Sequence, residues 1–141
     1  MSLVEKIGLL PHWGVNDSIQ DNLDYNLDAG SSGEGQRRID EMRRPISGLH
    51  RLVLYYPIGG YKQRVEYYTP QSISPMQVLE SINAFYALPI TQANIDALAA
   101  FDPELATYPV DEEGTIGELN PDRPYLDELK SYQDGFLVVL R

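Results

Sequence analysis

Residues 49–69 restrict the fold more than any other stretch of this chain. LHRLVLYYPI is a run of branched and aromatic side chains, Gly59-Gly60 follows it, and YKQRVEYYT returns. Two such runs joined by two glycines specify an antiparallel hairpin with a type I′ or II′ turn, whose twist matches that of the strands. The first strand is almost wholly apolar, which suits a central place in a sheet. The second alternates. Lys62, Arg64, Glu66 and Tyr68 fall on one face, and Tyr61, Gln63, Val65 and Tyr67 on the other. Its charges mark it as an edge strand guarded against stray pairing.

SISPMQVLESINAFYALP supplies the cover that such a sheet needs. Ser74 is the N-cap, Pro75 takes N1 and Gln77 takes N3, which makes a capping box with Ile73 stapled to Val78. Val78, Leu79, Ile82, Phe85 and Tyr86 recur at helical spacing as the buried stripe. The grammar repeats after Pro89: Thr91 caps, Ile90 staples to Ile95, and Ile95, Leu98, Ala99 and Phe101 pack. The two helices form an αα-hairpin. At the C-terminus, FLVVL reads as a strand buried on both faces that returns to pair with residues 49–58. Residues 124–130, opened by Pro124, read as a short helix. The fold class is α+β: a small antiparallel sheet of about three strands packed by an αα-hairpin, with an extended or helical N-terminal arm.

Gly30-Ser-Ser-Gly-Glu-Gly35 holds three glycines in six residues and reads as a linker. It divides the chain into a docking arm, 1–35, and an α+β domain, 36–141, that opens with a short helix over 36–44. Within the arm, Leu3, Val4, Ile7 and Leu10 form an amphipathic turn stopped by Pro11. Asp17, Asp21, Asp24 and Asp28 then recur with Ile19, Leu23 and Leu27 between them. A segment this short does not fold alone in water. Leu3, Ile7, Leu9, Trp13, Ile19, Leu23 and Leu27 are therefore expected to bind a partner chain. Removing residues 1–30 should leave the domain folded and abolish that association. Residues 102–124, with four prolines and Asp111-Glu112-Glu113-Gly114, read as an irregular acidic loop.

The net charge of −10 disfavours a nucleic-acid partner. Seven of the eleven basic residues lie in 36–64. The pairs Arg37–Glu41 and Asp40–Arg44 are expected to neutralise part of that excess. Cysteine is absent, so disulfides and thiolate chemistry are excluded. His12 and His50 have no neighbour at metal-ligand spacing. Asp24, Asn26 and Asp28 echo the start of a calcium loop, but Ala29 stands where glycine is needed and Gly35 where the bidentate glutamate is needed. The glycines at 30, 33 and 35 lack the preceding strand and the lysine of a phosphate loop. No metal, cofactor or catalytic residue is expected. No apolar run approaches the ~18 residues of a membrane span, and the N-terminus does not read as a secretion signal. Tyrosine is abundant, with ten copies. Tyr55, Tyr61, Arg64 and Tyr67 form a second candidate interface, since Tyr and Arg are enriched where proteins meet.

The passage YYTPQSISPMQVLESINAFYALPIT, with the closing GFLVVLR, resembles small uncharacterised proteins of large double-stranded DNA viruses. The shared pattern is an aromatic strand ending in Tyr-Thr-Pro, a capped helix ending in Phe-Tyr, and a final apolar strand. The resemblance implies a viral origin and a location in the virion or the cytoplasm. It carries no site residues. The expected function is that of a non-enzymatic structural or assembly protein, a minor component of a virus particle, with protein partners in a homo- or hetero-oligomer. The alternative is a regulatory module that binds a ligand or peptide on the Tyr-rich sheet face or the 102–124 loop.

Overall fold

In the computed structural model, β1 (Arg51–Ile58) and β2 (Tyr61–Tyr68) form the expected hairpin, with Ile58 opposite Tyr61 across Gly59-Gly60. The structure describes residues 2–8, 12–28, 33–101, 103–104 and 114–141. Two further strands, β3 (Leu126–Tyr132) and β4 (Gly135–Leu140), complete one sheet of order β2-β1-β4-β3. β4 runs parallel to β1, and the other pairs are antiparallel. The sheet is thus mixed and four-stranded, where three antiparallel strands were expected. β3 replaces the short helix predicted over 124–130. LDELKSY has no strong strand composition, but Gln133 adopts a positive φ of 45° and turns the chain back so that FLVVL can pair with it. Pairing with an apolar neighbour outweighs local propensity here. Gly135 lets β4 approach β1, since a Cβ there would lie 2.2 Å from the Val53 carbonyl oxygen.

One side of the sheet carries the core. Leu52, Leu54, Tyr56 and Ile58 of β1 point into it, with Val138 and Leu140 of β4 and Leu126 and Leu129 of β3. Helix α4 (Pro75–Tyr86) covers them and has the capping box read from the sequence. The Ser74 amide donates to Gln77 Oε1 at 2.8 Å, and the Gln77 amide donates to Ser74 Oγ at 3.2 Å. Val78, Leu79 and Ile82 are fully buried, and the Phe85 ring stacks on Tyr56 with centroids 3.9 Å apart. Helix α5 (Gln92–Ala99), capped by Thr91, adds Ile95 and Leu98. Phe101 is exposed and lies against Tyr61 instead of entering the core.

The N-terminal segment belongs to this same core, against the expectation of a separate arm. Helix α1 (Leu3–Ile7) buries Leu3 and Ile7, and Trp13 and Val15 are 2% exposed. Helix α2 (Ile19–Asp28) leans Ile19 and Leu23 on the core, and α3 (Glu34–Met42) inserts Ile39 and Met42. The expected linker ends inside α3. Gly35 packs on α2, where a Cβ would meet the Asn26 carbonyl oxygen at 2.4 Å. Three buried asparagines tie the segment down. Trp13 Nε1 donates to Asn83 Oδ1 at 2.9 Å, while Asn83 Nδ2 donates to the carbonyls of Gly14 and Asp17. Asn22 accepts from the Gly14 amide and donates to the Gly14 carbonyl. Asn26 donates to the carbonyls of His12 and Asn22. Asp24, Asn26 and Asp28 therefore lie on a helix and not in an ion-binding loop.

Candidate docking edge

A sheet of four strands has two edges, and this one treats them differently. β3 is blunted. The Leu126 amide donates to the Trp13 carbonyl at 2.9 Å, the Val15 amide donates to the Pro124 carbonyl at 2.9 Å, and Gly14 bridges Tyr125. A register shift between Leu126 and Glu128 bends the strand, and α1 packs beside it. Bulges and covering segments are common protections for a strand edge.

Among the described residues, β2 has neither device. Its eight residues pair with β1 in unbroken register from Arg51–Tyr68 to Ile58–Tyr61. The Thr69 amide donates to the His50 carbonyl, which fixes the phase of the ladder. Hydrogen bonding alternates along antiparallel strands. The odd-numbered residues of β2 therefore bond inward to β1, while the amides and carbonyls of Lys62, Arg64, Glu66 and Tyr68 face outward. Among the described residues, the Gln63 side chain, donating to the Arg64 carbonyl at 3.2 Å, is the one group that meets that row.

The two faces of β2 differ as the alternation predicts. On the helix side, Gln63, Val65 and Tyr67 line an open groove of about 730 Å³, with Phe85, Leu88 and Pro89 opposite. Leu88 is 48% exposed and Phe101 63%, both on this flank. The Tyr67 and Tyr56 hydroxyls lie 2.7 Å apart. Burial pushes the Tyr56 and Tyr67 hydroxyls above the ordinary tyrosine pKa, so both stay neutral.

The helix-free side carries a charge network. Arg64 donates to Asp134 Oδ2 at 2.6 Å and to Glu66 Oε2 at 3.2 Å, and Arg51 donates to Glu66 Oε1 at 2.6 Å. The Tyr55 hydroxyl donates to Asp134, and that of Tyr68 to Glu66. The Arg64 bond, followed by that of Tyr55, lowers the Asp134 carboxyl to about 2. Tyr68, then Arg51, lowers that of Glu66. A carboxylate depressed in the folded state adds stability above its unfolded pKa and loses it as pH falls through the folded one. Acidification from about pH 4 to pH 2 should therefore lower the melting temperature of the wild type. Asp134→Asn should flatten that slope. Equal slopes in the two proteins would show that the network contributes nothing. The groups are exposed, so the effect should be small and should shrink with salt.

The residues singled out from sequence are dispersed. Leu3, Ile7 and Trp13 are buried within their own chain, where no partner can reach them. Ile19 and Leu23 are half-buried on the core, Leu27 is exposed, and Leu9 lies outside the described residues. Tyr61 and Tyr67 flank the groove side of β2, whereas Tyr55 and Arg64 belong to the opposite face. In place of Arg37–Glu41 and Asp40–Arg44, the pairs formed are Arg38–Glu34, Arg44–Glu41 and Lys6–Glu41. Residues 102 and 105–113 of the 102–124 loop, with Asp111–Glu113 among them, lie outside the described residues. Those described hold no cluster of three or more potential metal ligands, and no helix long and apolar enough to cross a membrane. Comparison with protein-family models, curated proteins and solved structures returns no match for this chain.

Proposed function

We propose that the chain is a non-enzymatic assembly protein that docks a partner by strand addition along β2. The observation that carries this reading is the asymmetry of the sheet: β3 is bulged and capped over its first residues, while β2 keeps its full length in regular register with a row of outward amides and carbonyls. An exposed edge of this kind is a template for another strand. The apolar groove beside it supplies pockets for alternate side chains of the incoming strand. The contact surface thus moves from the N-terminal segment to the Tyr61–Tyr68 strand. The viral resemblance makes a virus particle the setting in which to look for the partner. A short extended peptide is the second reading, favoured by the same groove.

Photo-crosslinking tests the proposal. Tyr68 is 73% exposed at the end of β2, so a benzoyl-phenylalanine there leaves the fold intact. In the native cellular setting it should give a discrete protein adduct. The same probe at Asp122, exposed on a loop, should give none. Absence of any adduct at position 68 would refute docking at this edge.

A further inference from the structure

The charges of β2 are arranged about Val65, and their order selects an occupant for the edge. Arg64 and Glu66 flank Val65 on the helix-free face, and Lys62 and Tyr68 lie two residues further out. A second β2 approaching antiparallel in the same sheet must keep its side chains on the matching faces. Residues of like parity then oppose one another. Three central registers satisfy this. Centring on Arg64 sets arginine against arginine at the two-fold axis, with Lys62 against the partner's Glu66 on either side, and centring on Glu66 sets glutamate against glutamate with Arg64 against the partner's Tyr68. Centring on Val65 sets Arg64 against the partner's Glu66, Glu66 against the partner's Arg64, and Lys62 against the partner's Tyr68. Opposite charges across a ladder are favourable and like charges are not.

The backbone permits the same register. Arg64, Glu66, Lys62 and Tyr68 are the residues whose amides and carbonyls face outward. In the Val65 register each falls in a hydrogen-bonded position opposite another of the four, and Val65 meets its copy in the close non-bonded position. The arrangement is two-fold and self-complementary, as an isologous dimer requires. The described helices stay on one side, and the two half-sheets make one of eight strands. On the groove side, Gln63 of each copy comes beside the partner's Tyr67. Of the three registers, this is the one that sets no like charges against each other.

We infer that the occupant of the β2 edge is a second copy of this chain, paired antiparallel about Val65. The inference rests on the docking reading above and names its partner. Analytical ultracentrifugation of the full chain tests it. The wild type should sediment at twice 15.9 kDa. Arg64→Glu and Glu66→Arg each replace two attractive pairs by two repulsive ones. Each should weaken association roughly 10–100-fold, so that each runs as a monomer. An equimolar mixture of the two variants restores opposite charges at both positions and should return to the dimer mass. A monomeric wild type, variants that remain dimeric, or a mixture of folded variants that stays monomeric would overturn the inference. Arg64 also holds Asp134, so a charge variant that loses its circular dichroism spectrum is replaced by Lys62→Pro. That residue has an outward amide and no ion pair among the described residues. Lys62→Pro should be folded and monomeric, and a folded dimer of it would count against the pairing. Failure of the inference and of the reading separate cleanly. A monomeric wild type with a position-68 adduct of another mass discards the second copy but keeps the docking edge, whereas no adduct at all discards both.

Discussion

A chain lacking residues 1–28 should show no cooperative unfolding transition. The deletion removes Leu3, Ile7, Trp13 and Val15, all buried in the core that β1 and α4 share, and it strips Ile19 and Leu23 from its surface. Each large buried side chain is worth roughly 1.5–3 kcal/mol of transfer free energy. Losing four removes about 6–12 kcal/mol, comparable to the whole ~5–15 kcal/mol by which domains are stable. The deletion also uncovers β3, whose Leu126 amide would lose the Trp13 carbonyl. Urea titration followed by far-ultraviolet circular dichroism measures this. The truncated protein should lack the sigmoid seen in the full chain. A sigmoid of undiminished slope would restore the segment to the separate arm that its Gly/Ser boundary suggests.

Asn83→Ala should destabilise the fold by about 2–4 kcal/mol, because it orphans buried groups as well as deleting bonds. Trp13 Nε1 loses its acceptor and the Asp17 carbonyl loses a donor, while the Gly14 carbonyl keeps Asn22. Trp13→Phe removes the same indole N–H with less change of volume. If the two side chains act through one bond, the pair Asn83→Ala and Trp13→Phe should be less harmful than the sum of the single changes by about 1 kcal/mol. Strict additivity would mean that Trp13 is held by packing alone and that Asn83 serves other partners.

Much of this fold is local, and what is local can be read. The Ser74–Gln77 and Thr91–Asn94 caps depend on residues three apart, and both form. Gly59-Gly60 sets the hairpin and its register without reference to the rest of the chain. β3 was hidden because Leu126, Leu129 and Lys130 fit a helix as well as a strand, and only the pairing with β4 decides between them. The dipeptide Asp134-Gly135 hints at a hairpin, but the loop residues are Gln133 and Asp134, and Gly135 opens β4 opposite Tyr132. The segment before Gly35 was misread because a glycine that allows α2 and α3 to touch looks the same in sequence as a glycine in a linker. Asn22, Asn26 and Asn83 offered a correction. Each is a polar residue on an apolar helical stripe, and a buried tryptophan needs an acceptor for its N–H.

The docking edge divides in the same way. That β2 lies at the edge, and that Arg64 and Glu66 flank Val65, can be read from nine residues of sequence. That the opposite edge is capped at its start cannot, because the cap comes from Gly14 bridging Tyr125 across more than a hundred residues. An interface is therefore assigned to β2 only once the N-terminal segment is placed. The six-residue network of Tyr55, Asp134, Arg64, Glu66, Arg51 and Tyr68 also needed the fold, since Asp134 reaches Arg64 from the β3–β4 turn.

Residue-resolved hydrogen exchange on the chain in its associated form tests the role of this edge most directly. In an isolated sheet the amides of Gln63, Val65 and Tyr67 are held by β1, while those of Lys62, Arg64, Glu66 and Tyr68 meet solvent. With a strand docked along β2, all seven should exchange slowly, and the second set should speed up on dilution. Continued exchange of Lys62, Arg64, Glu66 and Tyr68 at solvent rates, in a preparation that is demonstrably assembled, would contradict the account.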